Sequence, residues 1–243
     1  MNLAMIIILG VGHVFDISSQ VRGIIEDERP DVVCVELDPL RYHALLNPSQ
    51  NRSNAQLTYR LLAAFQRRLA RQYGGEVGAE MVTATRVAQE IGSEVLLIDA
   101  DANKLFRQLW QEMPLQEKVK LGLSAVTSLF LSRRRVEQEL ESFQAHEEAY
   151  LDQMGEQFPT LKRMLIDERN EIMARRIDAA ASRFPNVLVV VGDGHVEGIV
   201  RLLDRDDIKV IRLREIRGQE REQPKGPSSN AQVRYHYDAS FQE

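Results

Sequence analysis

The sequence predicts an α/β fold, a largely parallel sheet covered by helices, with a long all-helical insertion between the third and fourth strands. Two observations predict the sheet. Short runs rich in Val, Ile and Leu alternate with segments of helical periodicity, the order expected when crossover helices join neighbouring strands. Each run is nearly continuous in apolar residues, as strands buried on both faces must be. A third observation predicts the insertion. From about residue 102 to 183 no strand-like run occurs, and that span is too long for an ordinary connection.

Taken in order, the strands are Leu3–Leu9, Asp31–Leu37, Glu94–Ile98, Val187–Val191 and Ile208–Leu213. A helix from about Asp16 to Glu28 joins the first two and is expected to end before Pro30. Asn54–Gln72 has helical periodicity with arginines on its polar face, and Gly74-Gly75 breaks it. Gly78–Ile91 forms the next helix, stopped by Gly92. Within the insertion, Pro114 and the stretch Gly155–Pro159 separate helices. Its apolar helix, Leu121–Leu131, is expected to pack in a core or a subunit interface. The run Arg133–Arg135 followed by Glu137, Glu139 and Glu141 reads as a solvated, ion-paired face.

The predicted domain is 1–216. Residues 217–230 are charged and then Pro/Gly/Ser-rich, the composition of a flexible linker. In 231–243 Val233, Tyr235 and Tyr237 alternate with polar residues, a strand-like period of two.

Composition excludes several classes. The chain has 243 residues, 36 acidic against 31 basic side chains and a net charge of -5, so no nucleic-acid partner is expected. The one cysteine, Cys34, excludes an internal disulfide framework and fits a reducing compartment. No apolar run reaches the roughly 18–20 residues of a membrane span, and the N-terminus lacks a basic n-region. A cytoplasmic protein is expected. A dinucleotide fingerprint would need glycine where Phe15 and Glu197 stand. There is no P-loop and no Gly-x-Ser-x-Gly elbow. The run His146-Glu147-Glu148-Ala149-Tyr150 lacks the second histidine of a zincin helix.

In open parallel sheets, sites form at the carboxyl ends of the strands. His13 follows the first strand, Glu36 and Asp38 end the second, Asp99 and Asp101 follow the third, and His195 follows the fourth. Two of these positions share a motif: Gly10-Val-Gly-His13 and Gly192-Asp-Gly-His195 each join a strand to a helix, as in a repeated βαβ unit. The glycines are expected to allow a sharp turn with unusual dihedrals and close backbone approach. A histidine near a helix N-terminus is disfavoured as imidazolium, and a neutral imidazole can ligate a metal or act as a base. The competing reading is that each histidine simply starts its helix. Likewise Glu36 and Arg41 could form a salt bridge within their loop, and Glu168 and Arg169 an ion pair bracing the insertion. Cys34, inside a strand, reads as packing.

Gly10-Val-Gly-His13, Val35-Glu36-Leu37-Asp38-Pro39-Leu40-Arg41, Gly78-Ala-Glu80-Met81, Leu97-Ile98-Asp99-Ala-Asp101, Glu168-Arg169-Asn170 and Gly192-Asp-Gly-His195 resemble, in order, the motifs of the TraB/PrgY family. That family includes pheromone-shutdown proteins. It is similar to the TIKI metal-dependent proteases and more distantly to ChaN-like and erythromycin-esterase-like proteins. The resemblance covers about residues 5–213. It implies an α/β domain with a metal-dependent peptidase-like site, in which His13, His195 and Glu36, with Glu80 as a further candidate, hold a divalent ion. Glu36 could equally be the general base. Arg41, Arg169 and Asn170 match positions that orient substrate or carboxylates. Two departures stand out. Ala100 replaces the arginine of the family's Ile-Asp-Arg-Asp, and the C-terminal hydrophobic helices of many microbial relatives are missing, so a soluble form is expected.

The expected function is therefore a metal-dependent hydrolase acting on a peptide or amide bond. Two imidazoles with one or two carboxylates suit zinc, manganese or cobalt. The alternative is a non-catalytic protein that sequesters a peptide in the same cleft; iron or haem binding ranks last because no haem motif is present. The expected partners are a peptide or small-molecule substrate and a second copy of the chain, in a homodimer.

Overall fold

In a computed structural model of the chain, residues 4–12, 17–46, 78–128 and 147–216 are described. The expectations for His13, the helix Asn54–Gln72, the run Arg133–Arg135, the linker 217–230 and the tail 231–243 fall outside them.

The described residues form a five-stranded parallel sheet in the order β3-β2-β4-β1-β5. The strands are β1 (Met5–Val11), β2 (Val32–Val35), β3 (Glu94–Leu97), β4 (Asn186–Gly192) and β5 (Ile208–Ile211). All five predicted runs are strands, with ends set by pairing. β1 starts later and ends later than Leu3–Leu9 because it lies against β4 from Met5↔Asn186 to Val11↔Gly192. In β1, β2 and β4 both side-chain faces are buried, which accounts for their continuous apolar sequence.

Helices cover both faces. On one side α1 (Ser18–Glu28) and α3 (Ala79–Ile91) bury Val21, Ile25, Met81, Ala84 and Val87 against Ile7, Leu9, Val33 and Val190. On the other, α8 (Glu168–Ala181) and α9 (Asp193–Leu203) bury Met173, Ile177, Val196 and Ile199 against Ile6, Ile8, Cys34 and Val189. Successive residues of one strand thus feed two different cores. α1 ends at Glu28, before Pro30, as predicted. Arg29 takes a left-handed conformation (φ 42) and its N–H bonds to the Ile25 carbonyl. α3 is bounded by Gly78 (φ 80) and Gly92 (φ 82), positions where a side chain would be strained. Between β2 and α3 lies α2 (Pro39–Leu46).

Between β3 and β4 the described residues are helical: α4 (Ala102–Glu112), α5 (Leu115–Ser128), α6 (Glu147–Gln157), α7 (Pro159–Lys162), a π-helical turn (Arg163–Asp167) and α8. They add a small core of Leu109, Met113 and Met164. Glu117 ties two of these helices together, accepting from the Thr160 hydroxyl (2.9 Å) and backbone N–H (3.2 Å) at the start of α7. Of the apolar helix expected from Leu121, Leu121 packs against this small core, whereas Leu123 is 63% exposed and aligned with exposed Leu115 and Val119. Among the described residues, no helix is long and apolar enough to cross a membrane.

Candidate functional site

The strand order places the site. The chain leaves β1 toward β2 on one side and leaves β4 toward β5 on the other, so the carboxyl ends of the adjacent strands β1 and β4 flank the topological switch point, where open α/β sheets bind ligands. These are the two strands that carry the Gly-x-Gly-His motifs.

β4 runs into α9 without a loop. Gly192 ends the strand and caps the helix with φ −55 and ψ 137, and His195 falls in the first helical turn. No unusual dihedral is needed at this glycine, contrary to the sequence expectation. What Gly10 supplies instead is space. A Cβ there would overlap Asp193 Oδ1 and come within 3.0 Å of Val196. Asp193 in turn holds β5, accepting from Arg212 Nε and Nη2 (both 3.0 Å) and from the Leu213 N–H (2.9 Å).

His195 is 5% exposed, and its Nδ1 lies 2.7 Å from Asn170 Oδ1 on α8. An amide oxygen only accepts, so Nδ1 carries a proton and Nε2 is the ring nitrogen left to face Glu36. Nε2 lies 3.6 Å from Glu36 Oε1. Glu36, at the end of β2 and 4% exposed, accepts from the Gly192 N–H through Oε2 at 2.6 Å and from Arg169 through Oε1. The predicted Glu36, Arg169, Asn170 and His195 thus form one cluster, with Glu36 133 residues from Arg169 and Asn170 25 residues from His195.

Asp99 is a residue whose part the sequence reading missed. It is 3% exposed and accepts from Arg169 Nε (2.9 Å) and Nη2 (2.8 Å), from Arg41 Nη2 (2.6 Å) and from the Ala100 N–H (2.7 Å). Its place after β3 was the available signal. Arg41 donates to Asp99 and to the Glu36 carbonyl, and its Nε lies 3.1 Å from Asp38 Oδ2. It therefore bonds the Glu36 backbone rather than its carboxylate and fastens the α2 start. Asp38 helps by accepting from the Leu40 and Arg41 N–H groups. Glu168 and Arg169 do not brace the insertion as a pair. Glu168 bonds Arg163, while Arg169 reaches the rim. The π turn immediately before them is a feature often found beside functional residues.

The electrostatics follow from burial. Desolvation opposes the Arg169 charge, but Glu36 and Asp99 outweigh it and leave the guanidinium pKa raised. Burial pushes the Cys34 thiol up to about 12, so it is a packing residue, not a nucleophile. Glu80, fully buried, stands in the first turn of α3.

Among the described residues no group of three or more His, Cys, Asp or Glu side chains is arranged to hold a metal ion. His195 Nε2 and Glu36 Oε1 do fit as two ligands of one. Tetrahedral bonds of about 2.1 Å place ligand atoms roughly 3.4 Å apart, close to the 3.6 Å found. The bond from Nδ1 to Asn170 matches the outer partner that ligating histidines have.

An open α/β sheet with a buried histidine, carboxylates and arginines at its switch point defines the class. The chain matches the TraB/PrgY/gumN family over residues 2–212 and belongs to that family. It is 28% identical over 224 residues to an uncharacterized protein of Methanocaldococcus jannaschii, covering 86% of this chain and 56% of that protein. The chain thus spans little more than half the length of that relative.

Proposed function

We propose that the chain is a hydrolase of peptide or amide bonds that works with a divalent ion (zinc, manganese or cobalt) held by His195, Glu36 and, by the repeated motif, His13. The observation that carries this reading is the orientation of His195, whose Nδ1–H is held by Asn170 so that Nε2 meets Glu36 at the switch point. When bound, the ion supplies a water acidified toward neutral pH. Asn170 keeps the imidazole in one tautomer. The Gly192 N–H and Arg169 fix the two oxygens of Glu36, and Arg169 offsets negative charge that Glu36 and Asp99 bring into a buried site. Arg41 braces the second loop, and Glu80 is a reserve ligand in this proposal. A homodimer joined through the exposed Leu115, Val119 and Leu123 belongs to the same reading, and light scattering tests it.

A second reading, a protein that sequesters a peptide without cleaving it, is favoured by one observation: both Glu36 oxygens already hold hydrogen bonds. Metal analysis of the untagged chain decides between them, followed by a peptide-turnover screen. About one divalent ion per chain, lost in His195→Ala and in His13→Ala/His195→Ala, is expected of the metallohydrolase. No ion after dialysis against all three metals would sink it. Peptide binding without turnover under any of them would favour sequestration.

A further inference from the structure

Glycine is a poor residue for the interior of a helix, yet Gly198 lies inside α9, three residues after His195 and on the same face. What lies against it is the side chain that holds the histidine. A Cβ at position 198 would overlap Asn170 Nδ2, stand 3.0 Å from its Cγ and 3.7 Å from its Cβ. Asn170 is 4% exposed, so its amide has little room to retreat. Gly23, inside α1, has nothing within 4 Å of the same position, so a close neighbour is not common to every helical glycine here.

We propose that Gly198 is a positioning residue. Its missing side chain is the seat of the Asn170 amide, and through that amide it keeps the proton on Nδ1 of His195 and turns Nε2 toward Glu36. The chain of contacts is short. Gly198 leaves the space, Asn170 fills it and presents Oδ1, and Oδ1 accepts from the ring. This holds whether the site hydrolyses a peptide or only binds one, because it concerns the ring and not turnover.

The test is the tautomer of His195, read from long-range proton–nitrogen NMR spectra of the full chain after chelator dialysis, with His195→Gln assigning the signals. The native protein is expected to show Nδ1 protonated and Nε2 unprotonated. In Gly198→Ala the Nε2 signal should move into the protonated or exchange-averaged range, as it should in Asn170→Ala. Adding Gly198→Ala to Asn170→Ala should change neither the spectrum nor, downward, the melting temperature, since the methyl then enters vacated space. A folded Gly198→Ala with the native tautomer would overturn the proposal. If that variant does not fold, Asn170→Ala and the double variant still decide. A folded double variant with the Asn170→Ala spectrum supports the inference, and a double variant that also fails to fold overturns it.

Discussion

The two βαβ units, β1–α1–β2 and β4–α9–β5, share a motif and differ in how their helices begin. In the second unit α9 starts at the residue after β4, and Asp193 at that start is bonded to Arg212 and Leu213 beside β5. In the first, the matching position is Val11, a buried strand residue, and α1 starts only at Ser18 without a side-chain cap. Their far ends remain alike. Both helices stop at a left-handed non-glycine residue, Arg29 and Asp204. The difference teaches that a shared sequence motif need not start its helix at the same place: with Asp193 to bond Arg212 and Leu213, the second helix begins at the strand end, whereas Val11 at the matching position stays in the strand. The pinned second unit presents His195 from a helix start held on three sides, and Gly10 of the first unit leaves the room that Asp193 needs.

The largest break in this arrangement is expected at the junction between the units. Arg169→Met would leave Glu36 and Asp99 buried without their shared counter-charge, and removing one partner of a buried ionic group costs about 3–5 kcal/mol. Denaturant unfolding measures it; a loss below about 1 kcal/mol, the size of an exposed pair, would mean that water solvates these carboxylates. Gly10→Ala is next. Overpacking at the contact with Asp193 should cost about 1–3 kcal/mol, and a neutral result would show that the units do not interlock there. The smallest effect belongs to Arg22→Met. Arg22 bonds Glu26 and Glu90 at the surface, so unfolding curves should coincide with the native ones. A clear shift would show that the outer helices, not the rim, hold the first unit.

Much of this arrangement was legible in the sequence. The five strands were visible because burial on both faces demands continuous apolar residues, a local property. Their ends were not, because Met5–Val11 and Asn186–Gly192 are delimited by pairing with each other. Glu36 and His195 were visible as residue types at strand ends, and Arg169 and Asn170 through the resemblance to the TraB/PrgY motifs. Their pairing was not, and the sequence suggested Glu36 with Arg41 and Glu168 with Arg169 instead. Neighbours along the chain invite such pairings, but the helix directs Glu168 to Arg163 and Arg169 to the rim.

The sequence by itself determined the class of fold, the rim on which polar residues gather and the repeated motif that marks two central strands. These depend on periodicity and on glycine, which act locally. Only the tertiary structure decided that Asp99 joins Arg41 to Arg169, that Glu36 bonds the Gly192 N–H, and that Gly198 makes room for Asn170. Those outcomes depend on which strand lies beside which and on how closely α8 approaches α9, distances that no local pattern encodes.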